Sequence, residues 1–286
     1  MHAMRKAAAI FAAIILISVI CFPVAGCRGN SDVSERADSI SSDDSINVEE
    51  ASEDSFAEMS MPLAADMIFE DFIFNFASNR KLQTNRISFP LPITRNGEKK
   101  LIDKRQWQTE HFFMDKDYYT LIFDNRRQMQ AMNDTAMKHV TLENILLAEK
   151  TIKQYIFNRI DGKWMLTEIV HLPLEKSQNA SFLTFYERFA TDESFQIESM
   201  SRYVNFSIPD PNHDFTSMTG TLQPDQWPAF KPEFMPTDSL LNIVYGNDTE
   251  SGPQRIFIIE GVGSGMRTEM TFRQESGRWR LKELNS

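Results

Sequence analysis

The chain has 286 residues, 42% of them hydrophobic and 11% aromatic, and its 22 Phe suffice for two cores or for cores plus an apolar cavity. It carries 30 Lys+Arg against 40 Asp+Glu, a net charge of −10, with no Lys/Arg-rich stripe, which argues against nucleic acid as a partner. Cys21 and Cys27 are its two cysteines, so everything after residue 27 lacks the means for a disulfide, a cysteine nucleophile or a cysteine-ligated metal.

The first element, residues 1–26, reads as a signal peptide. Arg5 and Lys6 form a charged start, and Ala7 to Phe22 form an almost uninterrupted apolar run. The run ends in Val24-Ala25-Gly26-Cys27, which resembles a bacterial lipobox. That resemblance implies cleavage before Cys27 and acylation of its sulfur, with palmitate as an expected modification and a membrane as the partner of the anchor. A plain transmembrane anchor is the alternative, since about 18 apolar residues can span a bilayer. Pro23 and the small residues before Cys27 suit a cleavage site better. Losing Arg5 and Lys6 with the signal moves the net charge from −10 to −12.

Residues 27–60 follow as a lipidated cysteine and an acidic tether. Between Arg28 and Ser60 there are ten acids and two bases, many serines and few large apolar side chains. Such a stretch buries too little surface to offset its ordering entropy. A coil of about 30 residues spans on the order of 30 Å. Asp38-Ser39-Ile40 and Asp44-Ser45-Ile46 resemble an O-glycosylation sequon of exported Bacteroidota proteins.

Two copies of one module come next, 61–175 and 176–286. Phe69, Phe72 and Phe76 recur as Phe182, Phe185 and Phe189, both sets at i, i+3 and i+7, which predicts an amphipathic helix opening each copy. Ala65, Ile68 and Ile73 fill the first stripe; Pro62 suits its first turn, and Asn179 or Ser181 its counterpart's cap. Period two then takes over. Arg86 to Pro90 aligns with Arg202 to Phe206, Trp107 to Met114 with Trp227 to Met235, and the apolar runs Tyr118 to Phe123 and Leu240 to Tyr245 precede turn-forming pairs. All are expected as strands. Each copy closes on a hairpin written G-[KR]-W-x-L-x-E-[IL], Gly162 to Ile169 and Gly277 to Leu284. The glycine run Gly261 to Gly265 lacks the spacing of a phosphate loop and reads as a hairpin turn. The boundary between copies falls near Pro173 to Asn179, and two independent cores are expected.

A helix, a set of antiparallel strands and a closing x-G-[KR]-W-x-L hairpin together resemble the nuclear transport factor 2-like (SnoaL-like) cone. The whole arrangement is similar to a Bacteroidota lipoprotein family known as domain of unknown function 4348. The resemblance implies an α+β fold of two tandem cone-like modules, each an amphipathic helix packed on a curved antiparallel sheet. That cone usually has two or three helices before its sheet, whereas one per copy is legible here.

Enzymes of that fold usually place a carboxylate or histidine inside the cone as general base. The first-copy candidates are His111, Asp115, Asp117 and Tyr118, with His111 and Asp117 foremost; the second copy offers Glu233 and Asp238, with His213 and Asp214 upstream. The ordinary reading of these groups, solvated loops and strand ends, is favoured. His111, His139, His171 and His213 form no H-x-H or H-x-x-x-H pair, so neither metal nor cofactor is expected. G-x-S-x-G and S-x-x-K are absent. Trp164 and Trp279 are candidates for a binding surface, though alternation favours core. The sequence thus predicts a lipid-anchored cell-envelope protein, on the periplasmic or surface face of a bacterial outer membrane. It would be a non-catalytic module binding a small hydrophobic ligand or an envelope protein. The alternatives are a pocket enzyme doing acid/base chemistry on a small hydrophobic molecule, or an outer-membrane protein–protein scaffold.

Overall fold

The phenylalanine stripes form the helices they predict, and each gains a short second helix. A computed structural model describes residues 66–210, 213, 216–246 and 252–286, all within one compact unit. The signal peptide, Cys27, the tether with its Asp-Ser-Ile sites, Pro62, Ala65 and Asp214 lie outside the described residues. In the first repeat α1 (Phe69–Ser78) and α2 (Arg80–Asn85) precede β1 (Leu91–Arg95), β2 (Glu98–Ile102) and β3 (Tyr118–Phe123). Then come α3 (Arg126–Met129), β4 (His139–Leu146), β5 (Thr151–Ile160) and β6 (Lys163–Pro173). The second repeat follows the same plan: α4 (Ala180–Thr191), α5 (Glu193–Glu198), β7 (Met200–Pro209), β8 (Ser217–Leu222), α6 (Trp227–Phe230), β9 (Ser239–Tyr245), β10 (Gln254–Gly261), β11 (Arg267–Glu275) and β12 (Arg278–Asn285).

Caps explain the extra helices. Asn79 accepts the Leu82 N–H at 2.9 Å and Asp192 the Phe195 N–H at 3.0 Å, so each side chain ends one helix and starts the next. The expected cap Asn179 makes no such bond; it turns to Arg255 instead. Trp107 to Met114, expected as a strand, is loop and turn, while the matching Trp227 opens a single helical turn. Neither segment has a neighbouring strand edge to complete its backbone bonds, so alternation alone does not make it a strand. Asp161-Gly162 and Ser276-Gly277 take positive φ at both positions, the two-residue turn that suits the right-handed twist of a hairpin.

The sheets are mixed rather than purely antiparallel. Their orders are β2-β1-β6-β5-β4-β9 and β8-β7-β12-β11-β10-β3, with β1 parallel to β6 and β7 parallel to β12. These pairs join the two ends of a repeat, which a tight turn does not link, so parallel pairing is open to them. More consequential is the exchange of β3 and β9. β3 runs antiparallel to β10 from Phe123↔Ile256 to Tyr118↔Gly261, and β9 runs antiparallel to β4 from Val140↔Tyr245 to Leu146↔Ser239. The repeat boundary near residues 175/176 therefore divides the sequence but not the sheets.

Each cone is filled by rings. In the first, Phe69 meets Trp164 edge-on at 5.1 Å and Phe76 meets Phe157 at 5.3 Å; in the second, Phe182 meets Trp279 at 5.4 Å and Phe189 meets Phe272 at 5.1 Å. The exchanged strand serves both cores, since Leu121 and Phe123 face the first and Ile122 the second. A buried polar group ties the crossing. Asn242 accepts the Ile122 N–H at 2.9 Å and donates to Glu143 at 2.9 Å, and Gln154 donates to the other Glu143 oxygen at 2.9 Å. These bonds satisfy an edge-strand N–H that the ladder leaves unpaired.

Candidate functional site

One face of the first sheet, the one that carries the first core, also carries a row of polar and charged side chains. Arg95 on β1, His171 on β6, Lys153 on β5 and Asn144 on β4 are directly paired in register, Arg95↔His171↔Lys153↔Asn144. One step deeper along the same strands lie Ile169, Tyr155 and Leu142, all in the first core. The polar row is therefore the rim of the cone and the aromatic core is its floor. Together with Asn96, Leu146, Glu149 and Thr151 the row lines an open cleft of about 530 Å³.

Glu110 reaches this rim from the loop before β3. Its carboxylate accepts from the Tyr155 hydroxyl at 2.9 Å and from the Lys153 ammonium, which also lies over the Tyr155 ring at 4.8 Å. Gln83, wholly buried on α2, holds the backbone of Glu110 from both sides: its Oε1 accepts the Glu110 N–H at 3.0 Å and its Nε2 donates to the Glu110 carbonyl at 2.7 Å. Burial and the neighbouring Glu110 carboxylate push the Tyr155 phenol well above its usual range. His171 is lowered, first by burial and then by the Arg95 and Lys153 charges, so it is neutral near pH 7. Its Nε2 lies 3.4 Å from the Arg95 guanidinium, which only donates, so this nitrogen accepts and Nδ1 holds the proton.

Both Glu110 oxygens are engaged and the Tyr155 proton is committed to them. The His171 lone pair is taken by Arg95. What faces the cleft is a set of donors on Arg95, Lys153, Asn96, Asn144 and Thr151, with the Glu149 carboxylate beside them.

The residues singled out in sequence fall elsewhere. His111 and Asp117 are exposed, and no hydrogen bond or ion pair joins them among the described residues. Asp115 and Glu233 are exposed, His213 pairs with Asp210 at 3.1 Å on the surface, and Asp238 meets Lys116 at 3.5 Å across the repeats. Trp164 is wholly buried and Trp279 is 8% exposed, lining one wall of a second cleft. Among the described residues no group of His, Cys, Asp and Glu is placed to hold a metal ion. Sequence reasoning passed over Glu110, next to His111. Its one available signal was the pair Lys153 and Tyr155, two residues apart on a strand and so on one face.

The site stands in one repeat only. Taking the register from Trp164 and Trp279, Lys153 corresponds to Thr268 and His171 to Ser286; taking it from Trp107 and Trp227, Glu110 corresponds to Phe230, which packs on Phe206 at 4.9 Å. Where the first rim is polar, the second is apolar or hydroxylic.

This is an α+β, nuclear transport factor 2-like fold of tandem, ligand-binding type. The chain belongs to the domain of unknown function 4348 family, whose profile it matches over residues 48–286. It is similar to a nuclear transport factor 2-like protein from Bacteroides fragilis NCTC 9343 solved by crystallography, with 36% sequence identity and a TM-score of 0.70. The match covers 79% of this chain and 98% of that one. No curated protein matches the chain.

Proposed function

We propose that this protein is a lipid-anchored envelope protein whose first repeat binds a polar, oxygen-rich small molecule at the cone rim, without catalysing a reaction. The observation that carries the binding reading is the Glu110–Lys153–Tyr155 group beside His171 and Arg95. Its donors are aimed at an open cleft, while the Glu110 carboxylate and the His171 Nε2 are already hydrogen-bonded. The anchoring part rests on the lipobox-like Val24 to Cys27 and the acidic tether. The ligand reading departs from the hydrophobic molecule expected from composition, because the cone interior is occupied by its own rings and the cleft presents the polar groups of Arg95, Asn96, Asn144, Thr151 and Lys153.

A thermal-shift screen of sugars, polyols and carboxylates against the mature chain tests this. The expected binder raises the melting temperature of the wild type and of His111→Ala/Asp117→Ala, but not of Arg95→Ala/Lys153→Ala. A binder that ignores the rim substitutions and depends on His111 or Asp117 would transfer the site to those residues and favour the enzyme reading.

A further inference from the structure

The two repeats differ sharply at one equivalent point, the edge of the closing hairpin beside its tryptophan. In the first repeat, Arg159 and Trp164 face each other one pair beyond the hydrogen-bonded pair that flanks the two-residue turn, so the Trp164 N–H points away from β5. It donates to the Asp66 carboxylate at 3.2 Å. Arg86 grips that carboxylate with two parallel bonds of 2.7 Å, and both residues are buried, at 8% and 2% exposure. The segment that leads into α1 thus places an aspartate at the hairpin edge, and the first repeat fills this position with its own chain.

The second repeat has the same backbone but no carboxylate at this point. Gln274 faces Trp279 one pair beyond the Ser276-Gly277 turn. The Leu281 N–H donates to the Ser199 carbonyl at 2.8 Å, as the Leu166 N–H does to the Arg86 carbonyl at 2.8 Å. Alternation along the strand then directs the Trp279 N–H to the same edge as that of Leu281. Yet the position of Arg86 is taken by Ser199, and not by Arg202 as aligned by sequence, and that of Asp66 by Asn179, whose side chain accepts from Arg255 at 2.7 Å instead. What remains is an open cleft of about 500 Å³. Phe185, Phe195 and Trp279 form its apolar wall, and Arg188, Arg278 and Arg280 surround it. Arg188 lies 4.1 Å over the Phe195 ring and is paired with the Asp192 carboxylate at 3.2 Å, and Arg280 donates to the Glu198 carbonyl. Arg278 is exposed and makes no ion pair among the described residues.

We infer that this cleft is a carboxylate-binding site for an acidic peptide segment, received as the first repeat receives its own Asp66. The backbone N–H of Trp279 and the Arg278 and Arg280 guanidinium groups take the carboxylate, and the Phe185, Phe195 and Trp279 wall takes the apolar residue that follows it. In the first repeat that following sequence is Met67-Ile68. This site is separate from the polar rim of the first cone and does not depend on it.

The capped peptide Asp-Met-Ile-Phe, the sequence of residues 66–69, titrated into the mature chain and followed by amide chemical shifts, tests the inference. Saturable shifts are expected at the Trp279 backbone and indole N–H, with neighbours on Phe185 and Phe195. Replacing the peptide's Asp by Asn should weaken binding about ten-fold or more, as should Arg278→Ala/Arg280→Ala in the protein, since a hydrogen bond to a charged group is at stake. Benzoate and acetate should bind far more weakly than the peptide. No shift at Trp279 with millimolar peptide, or equal affinity for the Asp and Asn peptides, overturns the site. Benzoate binding as tightly as the peptide overturns the peptide assignment and leaves a site for small carboxylates.

Discussion

Cutting the chain between the repeats puts the strand exchange to its most direct test. A fragment of residues 176–286 keeps the second repeat's helices but loses β3, the edge strand beside β10. Leu121, Ile122 and Phe123 on that strand are each no more than 7% exposed. At about 1.5–3 kcal/mol per buried apolar side chain, their removal withdraws roughly 5–9 kcal/mol before any ladder bonds are counted. A whole domain is stable by only about 5–15 kcal/mol, so the fragment should not fold cooperatively alone. The complementary fragment, 61–175, loses β9 with Leu240, Leu241 and Ile243, buried to the same degree. Urea titrations followed by near-ultraviolet circular dichroism, on each fragment and on their equimolar mixture, measure this. Neither fragment alone should give a cooperative transition, and the mixture should, because each supplies the strand the other lacks. A lone 176–286 fragment unfolding cooperatively near the midpoint of the full mature chain would refute the reasoning. It would mean that β9 folds back beside β10 and that the two cores are independent after all.

Trp164→Ala should cost about 3–5 kcal/mol, because the ring is wholly buried against Phe69; with shared strands the loss should lower one transition of the whole chain, and a melting temperature within a degree or two of wild type would contradict it. Glu143 is raised above its usual range by burial, against the two bonds from Asn242 and Gln154 that favour its charged form. The folded state therefore holds the proton more tightly than the unfolded state, so this group's contribution is full below about pH 4.5 and is lost as pH rises through the raised value. Glu143→Gln, with the Gln154 amide turned over, should gain on wild type in urea midpoint between pH 4 and pH 8; parallel profiles would show that the carboxylate titrates normally. Finally, Cys27→Ser should leave the signal uncut and abolish palmitate labelling while Cys21→Ser changes neither, and a mature chain starting elsewhere would remove the anchor from the proposed function.

Periodicity and repetition determined the helices, the closing hairpins and the tandem plan, because these depend on residues close in sequence: a Phe every three or four positions, or a Gly where φ must be positive. The absence of usable cysteines and the acidic first segment are likewise properties of composition alone. Three things were decided only by tertiary structure. The exchange of β3 and β9 was hidden because Tyr118 to Phe123 and Ser239 to Tyr245 are apolar strands in equivalent positions, and either repeat's edge satisfies their ladder bonds. The rim site was hidden because Arg95, Glu110, Lys153 and His171 lie on separate elements, brought into one row by strand register and by Gln83 gripping a loop. The difference between the paired tryptophans was hidden because both are read from the same motif, while their surroundings are set by residues far away, Asp66 and Arg86 at one and Ser199 at the other. Local pattern specifies which face of an element is apolar, whereas the partner of that face is chosen by burial and hydrogen bonding among segments distant in the chain.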